Sequence, residues 1–228
     1  MDGVLRELQK LGKPKNVQIY SRHGVSSPCY GVAHGDLKPL AKRIGRDQHL
    51  ALELWRSGVH DARMLATMIA EPDRMTRAQI EGWLHDCGNY VLTDAVSGVA
   101  ARMPDALEMA LSWIVGEGEW ITTAGWNVIG ASAGKDQLTA PMGNDLLQKI
   151  EQTIDDQPNR TRYAMNNALI GMGSYAEPFR ARALAVAKAI GKVDVDHGDT
   201  GCKTPDAAAY IAKVVAYKGG KSRARPPR

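Results

Sequence analysis

The chain has 228 residues, 44% of them hydrophobic, which is enough to bury a core without disulfides or metals. Its three cysteines, Cys29, Cys87 and Cys202, are odd in number and form no CxxC pair, so a disulfide framework or structural zinc site is not expected and a reducing cytosol is. The net charge of +4 equals the four basic residues among positions 219–228, which hold no acid, so the body is neutral overall and any basic surface on it must come from clustering.

The amino end begins a helix in which Val4, Leu5, Leu8 and Leu11 share a face. An irregular stretch over 13–34 follows, with a short helical piece from Val17 to Tyr20. Asp36 is placed to cap a helix over 37–44, and Asp47 the next, with Leu50, Leu54 and Trp55. Residues 59–70 are helical, with Met64, Leu65, Met68 and Ile69 inward; Thr76 caps a helix through Trp83, and Asn89 caps one ending near Pro104. Further helices are predicted over 105–116, 119–133, 142–154, 158–172 and 176–190. A polar loop over 194–203 then leads to Thr204 as N-cap and Pro205 at the first position of a final helix over 205–217. No fixed sequence period links these units. The pattern is all-α: antiparallel helix pairs stacked into a solenoid with one long concave groove. Residues 1–217 read as a single domain and 218–228 as a basic, disordered tail. The amino end lacks a signal-peptide pattern, and no stretch is apolar for long enough to cross a membrane.

Tyr90 and Asp94 stand four residues apart in Asn89-Tyr90-Val91-Leu92-Thr93-Asp94, which puts ring and carboxylate on one helix face about 6 Å apart. A ring beside a carboxylate suits a flat cation. The alternative is an exposed helical acid beside a tyrosine packed at a helix crossing. Lys38, Lys42, Arg43, Arg46, Arg63, Arg160, Arg162, Arg180 and Arg182 are candidates for phosphate contacts, against the alternative of solvated faces and intrahelical ion pairs. In the loop, Asp194, Asp196, His197, Asp199 and Cys202 crowd one turn. No metal-ligand spacing fits them, which leaves a substrate loop or a set of caps for backbone N–H groups. His60 and His85 lie near helix boundaries, where a polar surface or supporting role is expected, and His23 and His34 have no partner nameable from sequence.

The segments Tyr30-Gly31-Val32-Ala33-His34-Gly35-Asp36-Leu37-Lys38-Pro39-Leu40-Ala41-Lys42 and Leu52-Glu53-Leu54-Trp55-Arg56-Ser57-Gly58-Val59-His60-Asp61-Ala62-Arg63-Met64-Leu65-Ala66 resemble motifs of the DNA alkylation repair (AlkD-like) glycosylase family. The likeness covers most of residues 1–190. It implies a HEAT-like α-solenoid that grips double-stranded DNA with alkylated bases and hydrolyses the N-glycosidic bond of cationic N3- or N7-alkylated purines, as a cytoplasmic monomer without cofactor or metal. The family's Trp-x-x-x-Asp falls on Tyr90 and Asp94, the implied catalytic pair; the clustered basic residues Lys38, Lys42, Arg43, Arg63, Arg160 and Arg162, together with Trp126, are the expected DNA contacts. This chain departs from the pattern twice more. No tryptophan lies within 165–175, and Ile121-Thr122-Thr123-Ala124-Gly125-Trp126 replaces an arginine-rich turn. An alternative function is therefore a DNA- or partner-binding scaffold without excision.

Overall fold

The computed structural model describes residues 1–223, and side-chain environments through residue 218. Thirteen α-helices succeed one another among the described residues: α1 Asp2–Leu11, α2 Pro14–Arg22, α3 His34–Ile44, α4 Gln48–Arg56, α5 His60–Ile69, α6 Arg77–His85, α7 Tyr90–Ala100, α8 Ala106–Trp113, α9 Glu119–Ser132, α10 Ala140–Thr153, α11 Asn159–Tyr175, α12 Arg180–Ile190 and α13 Ala207–Arg223. From α3 onward the odd-numbered helices pack side by side in one row, and α4, α6, α8, α10 and α12 back them from outside. This two-layer stack is the solenoid that the helix-pair pattern requires.

Local capping chemistry sets many of the boundaries. The Asp47 carboxylate accepts the Leu50 N–H, Asn89 Oδ1 accepts the Leu92 N–H, and Thr76 with Gln79 forms a reciprocal capping box. Several boundaries differ from the sequence expectation. Helix α3 starts at His34, so Asp36 lies in its first turn instead of capping it, still facing the positive helix end. Thr204 does not cap α13. Its hydroxyl bonds His197 Nε2, while the Asp206 carboxylate accepts the Ala209 N–H. The segment 13–34 is less irregular than expected, because Pro14 opens a full helix through Arg22. At the other end α13 runs to Arg223, six residues beyond position 217, and residues 224–228 of the basic tail lie outside the described residues.

The stretch after α2 is fastened to the inner row by one buried acid. Asp61, 1% exposed, accepts the backbone N–H groups of Tyr30 and Val32, each at 2.6 Å. Gly31 sits between them at φ +79°, and a Cβ there would lie 2.4 Å from the Lys13 carbonyl oxygen, so only glycine fits. The Tyr20 hydroxyl donates to the Val32 carbonyl, and the His60 N–H to that of Pro28.

Helices α9 and α11 approach to backbone contact. A Cβ at Gly171 would lie 2.9 Å from the Gly130 carbonyl oxygen, and one at Gly130 would lie 3.2 Å from Ala168 Cα. Helix propensity alone favours alanine over glycine by about 1 kcal/mol. At Gly171 the clash is with backbone, which cannot swing aside, and overpacking costs about 1–3 kcal/mol. Gly171→Ala is therefore expected to lower stability in urea unfolding. Gly98→Ala in α7, where nothing lies within 4 Å of the added Cβ, is expected to raise it by about 0.5–1 kcal/mol.

Candidate functional site

The inner row presents polar groups from successive helices along one seam. Helix α7 supplies Tyr90 and Asp94 four residues apart on the same face, α9 supplies Asn127, and the first turn of α11 supplies Arg160. Asn127 Nδ2 donates to Asp94 Oδ1 at 2.8 Å and lies 3.4 Å from Ser97 Oγ. Asp94 makes no ion pair among the described residues. The Arg160 guanidinium lies 3.7 Å from the centroid of the Tyr90 ring, a close cation–π stack. The Tyr90 hydroxyl is hydrogen-bonded to His23 Nδ1 at the end of α2, and the two rings meet edge to face.

Asp94 is open to water, yet it lies low in a concavity crowded by protein. That crowding disfavours its charged form and lifts its pKa to about 6, although the Asn127 hydrogen bond and the positive charge of Arg160 oppose the shift. Burial also raises the Tyr90 phenol above its ordinary range. His60 is 2% exposed, and burial lowers its pKa, so it is neutral at physiological pH.

Three clefts meet at this seam. One, of about 380 Å³, lies between α2, α3, α5 and α7 and reaches Tyr90 and Asp94. A second, of about 270 Å³, holds Arg22, His23, Tyr90, Arg160, Asp196 and His197. The third, of about 280 Å³, runs from Asp94 past Asn127 to Asn167. Tyr90 therefore stands as a partition between the first two, and Asp94 borders the first and third.

The loop over 194–203 belongs to this site. Asn159 docks it with two bonds to the backbone of Asp196, at 2.7 and 2.8 Å. Within the loop Asp196 Oδ1 accepts the Gly198 N–H, and Thr200 Oγ1 accepts the Cys202 N–H. These are the backbone caps that the sequence allowed. His197 packs edge to face on Tyr163 and faces the second cleft, so the loop also forms a wall there. No group of three or more His, Cys, Asp or Glu among the described residues is arranged to hold a metal ion.

The structure corrects two of the DNA contacts implied by sequence. Trp126 is 1% exposed, packed within α9 where α7 and α11 flank that helix, so its ring cannot meet a nucleic acid. Arg63 is committed to the protein: it stacks on Trp55 and bonds the Trp55 carbonyl and both the carbonyl and carboxylate of Asp86. Arg43 pairs with Glu7 at the surface, and Arg162 has a buried Nε without a hydrogen-bond partner. Arg46 and Arg180 bond backbone carbonyls, and Arg182 pairs with Glu151. Lys38 and Lys42 remain as exposed cations on α3. Sequence reasoning missed Asp61 and Asn127, and it named His23 and His197 without a partner. The partners of His23, Asp61 and Asn127 lie more than 25 residues away, and His197 reaches the site through a fold-back of the loop.

Comparison with known proteins gives a consistent set of similarities. A family model described as DNA alkylation repair enzyme matches residues 4–211. The chain is 34% identical over 220 residues to an uncharacterised protein, Lin0241, of Listeria innocua serovar 6a, covering 93% of this chain and 96% of that protein. It is 33% identical over 220 residues to Lmo0209 of Listeria monocytogenes serovar 1/2a, with the same coverage. A solved structure described as "A new family of proteins related to the HEAT-like repeat DNA glycosylases with affinity for branched DNA structures" superposes with a TM-score of 0.86. It matches 95% of this chain and 94% of that one at 31% identity, so the fold is a HEAT-like stack.

Asp94 titrates higher in the folded chain, at about 6, than its ordinary value of 3.8. Folding therefore binds the proton more tightly, and the ionised group opposes folding once pH rises through that interval. Asp94→Asn, which keeps an acceptor for Asn127, is expected to raise the melting temperature at pH 8 and to leave it unchanged at pH 3. An equal gain at both pH values would assign the effect to packing instead of charge.

Proposed function

The chain belongs to the DNA alkylation repair enzyme family, and from that premise we propose that it binds DNA along the inner helix row, as a cytosolic monomer, with a preference for DNA whose stacking is interrupted. The observation that carries this is the accessible polar seam of Tyr90, Asp94 and Asn127 flanked by Arg160, running across three helices of one row. Lys38 and Lys42 extend positive charge toward the amino-terminal end of the row, where they meet phosphates. Branched DNA is the favoured form for two reasons. A solved relative at 31% identity is described as having affinity for it. In addition, the ring that would clasp a damaged nucleotide in a duplex is already covered by Arg160.

A second function is supported by Asp94 itself: excision of cationic alkylated purines. Departure of an already cationic base leaves an oxocarbenium-like sugar and needs no general acid. An anionic carboxylate in a crowded concavity stabilises that charge and orients the attacking water. Asp94 meets the requirement, because it is accessible and free of ion-pair partners among the described residues. The Tyr90 ring would add about 0.5–2 kcal/mol of cation–π contact, and only after Arg160 has moved off it.

Gel-shift titrations of a three-way junction and a matched duplex over a range of salt test the binding. Tighter binding to the junction and an affinity falling steeply with salt are expected, and Arg160→Ala is expected to weaken binding and reduce the salt slope by about one. An affinity independent of salt would remove DNA as the ligand.

Excision is tested with a 7-methylguanine oligonucleotide. Asp94→Asn is expected to slow it by about a hundredfold or more, and the parent rate to climb as pH rises through about 6, where the carboxylate ionises. Binding should show the opposite trend, tightening as pH falls through the same interval and a negative charge leaves the groove. A variant that excises as fast as the parent would sink the catalytic role of Asp94.

A further inference from the structure

The last helix differs from the rest of the chain in charge and in what it exposes. Residues 207–228 contain Lys213, Lys218, Lys221, Arg223, Arg225 and Arg228 and no acid, which leaves residues 1–206 at a net −2. Helix α13 packs on α11 and α12 at the end of the inner row, and its other side faces solvent. The terminal unit of a stack needs a polar outer face. On α13, however, the exposed positions through residue 218 are only alanine, tyrosine and lysine. Tyr210 is 47% and Tyr217 63% exposed. Tyr175, 54% exposed at the end of α11, meets the same surface through the Lys218 ammonium, 4.0 Å from its ring centroid. Five large hydrophobic side chains are exposed among the described residues, and three of them are these tyrosines. Exposed apolar groups gathered in one place mark an interaction surface.

The spacing on the helix is regular. Tyr210, Lys213 and Tyr217 recur at three and four residues, so they form one stripe. The two rings stand two turns apart, about 10 Å along the axis. That distance matches about three nucleotides of a stacked strand at about 3.4 Å each. Acids do not oppose the lysines along the stripe. The Asp206 carboxylate, just before the helix, accepts the Ala209 N–H. Asp136 and Glu177 lie on the turns that flank Tyr175, and neither pairs with Lys213 or Lys218.

These features select the occupant. A second copy of the chain would set six cations against six. A lipid surface calls for Leu, Phe or Trp on the exposed face, and α13 offers none there. A duplex supplies phosphates for the lysines but keeps its base faces stacked away from the rings. An unpaired strand supplies both, base faces for the phenols and phosphates for the ammonium groups. We propose that the outer face of α13, with the basic residues that follow it in sequence, holds a single DNA strand, its bases on Tyr210 and Tyr217 and its phosphates at Lys213 and Lys218. This surface is apart from the Tyr90–Asp94 seam, three helices farther along the inner row from α7. The assignment rests on the DNA-binding function above and names the part of a branched molecule that extends past the end of the row.

The test uses a thymidine 12-mer, a blunt duplex and the same duplex carrying a thymidine overhang. The parent is expected to bind the overhang more tightly than the blunt end. Tyr210→Ala combined with Tyr217→Ala is expected to weaken the 12-mer about fivefold or more, the lower end of one base–aromatic stack, and to leave blunt-duplex affinity unchanged. Lys213→Ser and Lys218→Ser are each expected to reduce the salt slope for the 12-mer by about 0.7. With 5-iododeoxyuridine in the strand, photo-cross-links are expected on Tyr210 or Tyr217. Circular dichroism checks that each variant is folded. If the double tyrosine variant binds the 12-mer as the parent does, or if the parent binds duplex but no single strand, the α13 surface is overturned and DNA binding stands. A dimer in sedimentation that the tyrosine variant dissociates would overturn it in favour of a second copy. A parent that binds none of these probes and no junction would remove both proposals.

Discussion

A single buried carboxylate holds the amino-terminal wall of this molecule in place. Asp61 sits on α5 with 1% exposure and accepts two backbone N–H groups, of Tyr30 and Val32, across a 30-residue gap. Hydrogen bonds to charged groups contribute about 1.5–3 kcal/mol each, and here they fix a segment that has no helix of its own. Bonds from Lys13, Asn16 and Tyr20 to the same segment join it to α2. Val32 forms part of the cleft wall, Tyr20 bonds the Val32 carbonyl, and α2 ends where His23 can reach Tyr90.

The same seam shows how function competes with stability in a helical stack. Asp94 is kept in surroundings that resist its charge, with one amide as its direct partner. An arginine in place of Asn127 would pair with it and remove the exposed negative charge from the groove. Such local exceptions to good packing are expected where a site is built.

Much of the architecture was legible in the sequence because it rests on local chemistry. The caps at Asp47, Thr76 and Asn89 act within three residues, and the shared face of Tyr90 and Asp94 follows from the helical period. The boundaries that failed did so where a distant group competed. Thr204 is drawn away from α13 by His197, and the helix starts two residues later. Trp126 looked available because a lone helix has an outer face; α9 is flanked by α7, α8 and α11 and has little left to expose. Arg63 looked like a phosphate ligand because sequence could not show Trp55 and Asp86 beside it. The residues that complete the seam, His23 and Asn127, come from helices whose meeting with α7 only the three-dimensional stack reveals.

The stack of Arg160 on Tyr90 makes the groove a place of exchange. Whatever settles on that side of the aromatic ring must first dislodge a guanidinium, so occupancy reflects the contest between two cations, or between a cation and a sugar, for one π surface. On the proposed DNA ligand, the displaced arginine would stay tethered at the head of α11, beside the group that took its place on the ring.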